Sequence, residues 1–185
     1  MIATHVSRTE LQSDLDVVRR SPQDNGLLEL IVRRPDENQR ETVEDARLDL
    51  VQGLVGDNWY TRGSSGTPDG AANPDMQITI MNARLIALVA QEKERWPLAG
   101  DQLYVDLDLS VENLPPGARL CIGSAILEVT AVPHTGCKKF MDRFGRDAVK
   151  FVNSPEGKKL RLRGLNARIV KSGSIRVGQT VRKCR

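Results

Sequence analysis

Leu103, Val105, Leu107 and Leu109 recur at every second position, with Asp106 and Asp108 between them. A period of two lines one face of an extended chain, so this stretch reads as a half-buried β-strand. Similar runs recur along the chain. Residues 27–34 form a β-type run stopped by Pro35, and residues 40–48 follow across the turn Asp36-Glu37-Asn38 as a hairpin partner. Residues 76–81, 118–122, 125–132, 160–163, 167–171 and 180–183 add further strand candidates, bounded by Gly and Pro turns, with Gly123 reading as a bulge. Helical periodicity is confined to three places. Residues 8–20 open on the capping box Ser7-Arg8-Thr9-Glu10 and carry Leu11, Leu15 and Val18 on one face. Residues 83–91 follow a cap at Asn82, and residues 142–152 end before Ser154-Pro155-Glu156-Gly157. Many short strands with about three short peripheral helices predict a mainly β, β-rich α+β chain, closed or partly closed as a barrel. No linker or repeat divides it. The expected organisation is an N-terminal helix and strand pair over residues 1–47, packed on a barrel formed by residues 48–185.

A chain of 185 residues, 39% hydrophobic and 28% charged, can bury one sizeable core. No run approaches the ~18 apolar residues of a membrane helix. Residues 1–10 are polar where a leader needs an apolar stretch, so an unprocessed, cytoplasmic chain is expected. Cys121, Cys137 and Cys184 are far apart in sequence and form no Cys-x-x-Cys pair, which predicts reduced thiols rather than a zinc site or redox dithiol. Basic residues concentrate after position 137, which suits an anionic partner. Aromatics are only 4%, so no stacking platform for nucleic acid is evident.

The densest chemistry lies in Pro133-His134-Thr135-Gly136-Cys137-Lys138-Lys139-Phe140, between a strand and a helix, with Arg143 and Arg146 close behind. The thiolate is the form of cysteine that attacks sulfur or carbon and binds soft metals, and neighbouring cations favour it. The alternative is a small buried hydrophobe, which the adjacent lysines disfavour. His134, three positions before Cys137, suits a base, a ligand-orienting group, or a hydrogen-bonded cap of the loop.

Two further stretches carry candidates. In Arg161-Leu162-Arg163-Gly164-Leu165-Asn166-Ala167-Arg168, a strand reading puts Arg161 and Arg163 on one side, suited to phosphate, with Asn166 offering both donor and acceptor. A solvated basic edge strand is the alternative. Gly53-Leu54-Val55-Gly56-Asp57-Asn58 reads first as a tight turn and second as a phosphate cradle. The Gly- and Ser-rich residues 61–74 form a long loop within the domain.

In order and spacing, the Gly53–Asn58 element, Gly100-Asp101, Glu112 to Gly117, Ile122 to Thr130, the Gly136-Cys137-Lys138-Lys139-Phe140 loop with Arg143-Phe144-Gly145, and Arg161 to Arg168 together resemble a stand-alone MOSC domain. This is the module at the C-terminus of molybdenum-cofactor sulfurases. The resemblance runs from about residue 48 to residue 182. It implies a β-barrel-like fold and a functional cysteine at Cys137, carrying sulfur as a persulfide or ligating the metal of bound molybdenum cofactor. His134 is the accompanying catalytic candidate. Lys138, Arg143, Arg163, Asn166, Asp57 and Asn58 are the candidates for holding the pterin and its phosphate. A reductase of N-hydroxylated compounds is the enzyme version. The implied partners are a cysteine desulfurase or a molybdoenzyme, with pyridoxal phosphate held only by such a partner sulfurase. A non-catalytic binding module with a structural cysteine is the competing class.

Overall fold

The computed structural model describes residues 5–184. Residues 1–4 and Arg185, which the readings of the N-terminus and the basic C-terminal half include, lie outside them. In chain order the elements are α1 (Arg8–Ser13), α2 (Leu15–Arg19), β1 (Gly26–Arg33), β2 (Glu41–Val43), β3 (Asp45–Asp49), β4 (Gly53–Leu54) and α3 (Trp59–Arg62). A 3-10 turn (Pro74–Met76), β5 (Ile78–Asn82), α4 (Ala83–Ala90), a second 3-10 segment (Lys93–Ala99), β6 (Leu103–Asp106), β7 (Arg119–Ile122) and β8 (Ala125–Val129) follow. The chain ends with α5 (Lys138–Phe144), α6 (Arg146–Val152), α7 (Pro155–Lys159), β9 (Leu165–Lys171), β10 (Gly173–Arg176) and β11 (Thr180–Lys183).

The strands pair in the order β11-β7-β8-β9-β5-β6-β1, and β1 pairs with β11 to close a seven-stranded barrel, with β2 appended to β1. Pairings are antiparallel except β5 with β6, which α4 connects. Residues 26–33 are therefore a wall of the barrel rather than a layer packed on it. The expected hairpin is split: β2 pairs β1, whereas β3 joins β10 and β4 in a small second sheet.

The period of two decides two cores at once. Ile31, Ile80, Leu103 and Val105 point into the barrel with Leu28, Leu120, Leu127 and Val181. Their neighbours Val32, Met81 and Tyr104 point outward into a helical layer built on Leu11, Leu85, Ile86, Phe140, Phe144 and Phe151. Strand β6 is thus buried on both faces up to Asp106, not half-buried, because the helices cover its outer side. Among the described residues the expected three helices become seven short ones. Helix 8–20 breaks at Asp14, although its capping box forms as read. Helix 142–152 starts four residues earlier, at Lys138, and breaks at Gly145, whose φ of +92° ends α5. Residues 160–163 form a turn rather than a strand. Arg161 there takes φ +48°, and Leu162 N donates to Gly157 O.

Cys121 and Cys184 form a disulfide, contrary to the expectation of reduced thiols. The register opposes Arg182 to Cys121, which brings the residue just beyond β11 to the edge of β7. Sixty-three residues of sequence separate the two cysteines, so only the pairing of the strands shows their proximity. Among the described residues no helix is long and apolar enough to cross a membrane.

Candidate functional site

Two asparagines hold the loop between β8 and α5. Asn166, fully buried on β9, donates from Nδ2 to the carbonyls of Val132 (3.1 Å) and Pro133 (3.3 Å). Asn153 brackets Gly136, accepting from its N–H at 2.8 Å and donating to its carbonyl at 2.9 Å. Loop carbonyls near a core need such partners. Beyond Gly136, Cys137 takes the N-cap position of α5 in an extended conformation and makes no capping hydrogen bond. Its thiol is exposed, and it is the one free cysteine among the described residues. Phe140 and Phe144 anchor α5, both 1% exposed with ring centroids 4.9 Å apart. Burying each is worth about 1.5–3 kcal/mol, so the inner face of α5 is fixed while Cys137, Lys138 and Lys139 stay exposed.

His134 joins a buried ionic cluster. Its Nε2 lies 2.8 Å from Asp101 Oδ1, and Arg163 Nη1 lies 2.5 Å from Asp101 Oδ2. Arg163 also donates from Nη2 to Ala99 O at 2.9 Å, and its guanidinium lies 4.9 Å from the Phe140 ring centroid. Burial by itself raises the Asp101 carboxyl, but Arg163 and then His134 outweigh it and hold the group below its ordinary value. Burial, and then the charge of Arg163, lowers the His134 imidazole despite the pull of Asp101. A neutral imidazole beside an ionised carboxylate carries its proton on Nε2, which leaves Nδ1 as an acceptor.

A second buried pair anchors the opposite wall. Asp57 takes Arg34 Nε and Nη2 bidentately at 2.8 Å each, and also accepts from the backbone N–H of Arg34 and Trp59 at 2.9 Å. The turn read over residues 53–58 is therefore clamped to the end of β1.

Between these pairs opens a cleft of about 680 Å³ with Cys137 and His134 in its wall. Six cations line it, Arg34, Arg40, Arg62, Lys139, Arg143 and Arg163, against two acids, Asp36 and Glu37. Burial lowers the Arg40 guanidinium, and the charges of Arg143 and Arg34 lower it further. Arg62 is lowered by burial and then by Arg34. Such crowding of like charge is what a bound anion relieves. Arg40 Nε, Arg163 Nε and Asn58 Oδ1 are buried without a hydrogen-bond partner, leaving two donors and an acceptor free.

Of the residues singled out in the sequence, Cys137, His134, Arg143, Arg163 and Asn58 line this cleft. Asp57 lies behind it, holding Arg34, and Asn166 lies behind the cysteine loop. Lys138 is not brought in; its side chain is 84% exposed and pairs with Asp142 at 3.2 Å. Arg161 and Arg163 do not share a strand face. Arg161 donates to the carbonyls of Leu109 and Leu114, while Arg163 turns to Asp101. Asp101, Arg34, Arg40 and Arg62 carry no site signal of their own in the sequence: Asp101 stands only within the Gly100-Asp101 pattern, and the three arginines stand outside any motif.

A sequence model described as the MOSC domain matches residues 67–182. A comparison with curated proteins finds no match. Among solved structures, the chain resembles the YuaD protein from Bacillus subtilis, with TM-score 0.58 and 15% identity over 85% of this chain and 94% of that one. It also resembles YiiM from Escherichia coli, with TM-score 0.55 and 15% identity over 86% of this chain and 70% of that one. A hypothetical protein of known structure gives TM-score 0.58 and 17% identity over 91% and 71%. At these identities the likeness to solved structures concerns the fold, whereas the domain match covers more than half the chain. With its closed barrel and its cysteine on the strand-to-helix loop, the chain belongs to the MOSC domain family.

Proposed function

We propose that the cleft binds molybdenum cofactor and that Cys137 is the residue through which the protein acts on it. The observation that carries this reading is an exposed free thiol in the wall of a cleft lined by six cations, with three buried polar atoms still lacking partners. The residues fit the group. Arg34, Arg40, Arg62 and Arg143 suit its phosphate. Asn58 Oδ1, Arg163 Nε and Arg40 Nε suit the polar edge of a pterin, and a thiolate suits molybdenum or a transferable sulfur. A cleft of about 680 Å³ falls within the usual size of ligand pockets. When bound, the cofactor supplies two-electron redox chemistry or accepts sulfur. The chain's own part is to seat the anion, present the Cys137 sulfur, and keep a neutral imidazole, oriented by Asp101, at the cleft wall. As a sulfur carrier, Cys137 would receive its persulfide from a partner cysteine desulfurase holding pyridoxal phosphate and pass it to a cytoplasmic molybdoenzyme.

The His134–Asp101 pair favours the enzyme version as a second reading, since reduction of an N-hydroxylated compound consumes protons and the free Nδ1 can take one up from solvent and pass it on. Expression in a cofactor-producing host, followed by native mass spectrometry and pterin analysis of wild type and Cys137→Ala, tests the proposal. Pterin or a persulfide mass should appear in the wild type, and the persulfide should vanish in the variant. Absence of both from wild-type protein overturns it. Turnover of an N-hydroxylated base with an artificial donor, lost in Cys137→Ser, separates reductase from carrier.

A further inference from the structure

A second cavity, of about 520 Å³, adjoins the Cys137 cleft, with His134 and Arg163 lining both. Apolar side chains make most of its wall: Val132 and Pro133 from the cysteine loop, Val152 from α6, and Leu165 from the start of β9. Three cations also line it, Lys158, Arg161 and Arg163, and its lining holds no Asp or Glu. Arg161 is committed to the carbonyls of Leu109 and Leu114. Arg163 is committed to Asp101, though its Nε is buried and unpartnered. Lys158 is exposed and, among the described residues, forms no ion pair. The cavity thus combines an apolar wall, a volume in the ligand range, and one cation without a counter-charge.

We propose that this cavity is a binding site for an aromatic or heteroaromatic carboxylate. The ring lies against Val132, Pro133, Val152 and Leu165, and the carboxylate pairs with Lys158. Apolar walls select the ring through desolvation. The absence of any acid in the lining rejects cationic rings and favours one negative charge. The site shares His134 and Arg163 with the cleft that takes the cofactor, but Val132, Pro133, Val152, Leu165 and Lys158, on which the proposal stands, lie outside that cleft, so it does not rest on that reading.

Titration calorimetry on purified protein without added cofactor tests it, using 2-naphthoate and its neutral isostere 2-naphthamide. Naphthoate should bind about tenfold more tightly, the effect of one charge-assisted contact. Lys158→Glu, an exposed change, should remove the preference while leaving the amide bound. Val132→Trp, checked for folding by its thermal transition, should remove both. No binding of either compound, equal binding of both, or naphthoate binding that survives Val132→Trp in a folded variant overturns the assignment. So does loss of naphthoate binding in Arg62→Glu but not in Lys158→Glu, which places the anion in the cleft instead.

Discussion

His134 Nε2 lies 2.8 Å from Asp101 Oδ1, and the imidazole lines both the cleft of Cys137 and the apolar cavity beside it. Asp101 is fully buried on the segment entering β6, whereas His134 belongs to the loop leaving β8. The bond therefore ties the cysteine loop to the barrel strand and sets the imidazole's tautomer. Arg163 completes the cluster on the other carboxylate oxygen.

Breaking that cluster should be costly. Asp101→Asn leaves the Arg163 guanidinium buried without its counter-charge, and urea unfolding at pH 7 should show a loss of about 3–5 kcal/mol. The double variant Asp101→Leu/Arg163→Met should recover most of it, since apolar replacement of a whole buried pair is often neutral. A single variant as stable as wild type contradicts the role assigned to Asp101.

Acid should weaken the fold in two steps. The folded His134 value lies below the unfolded 6.5, so the unfolded chain binds more protons and stability falls as pH drops through and below 6.5. Asp101 is also depressed, so its contribution is present above the unfolded 3.8 and lost as pH falls through the folded value. Denaturant midpoints across pH 3–8 should decline towards acid, and His134→Gln should remove the upper step. A midpoint unchanged between pH 7 and 5 in the wild type contradicts it.

Cys137 is exposed and makes no capping hydrogen bond. Cys137→Ala should change stability by no more than about 0.5 kcal/mol while removing sulfur loading. A large drop in Tm with unchanged function would favour the structural-cysteine alternative.

Gly164 takes φ +105°, and a Cβ there would lie 2.3 Å from Ile80 O and 3.3 Å from His134 Cδ2. Gly164→Ala should cost about 1–3 kcal/mol through backbone strain alone, and should alter the His134 resonances in NMR. An unperturbed variant would show that the strand approach is looser than described.

The Cys121–Cys184 bond closes a loop of 63 residues across β7 and β11. The chain-entropy relation gives about 4 kcal/mol for such a loop. Cys184→Ser should lower the urea midpoint accordingly, and reductant should lower the wild type towards it. Identical midpoints with and without reductant contradict a formed bond.

Local regularities in the chain were enough for the strand periodicity, the capping box at Ser7, the cap at Asn82 and the loop setting of Cys137. These depend on neighbours one to four residues apart, and the MOSC pattern is a series of such local signatures. Tertiary structure decided the rest. Barrel closure between β1 and β11 made residues 26–33 part of the wall and brought Cys184 to Cys121. Tertiary packing also sent Arg161 and Arg163 in different directions, gathered Arg34, Arg40 and Arg62 into the cleft of the thiol, and set Asp101 behind His134 in its wall. Charges so far apart in sequence carry no mark of their partners, because the desolvation and attraction that join them arise only when the strands meet.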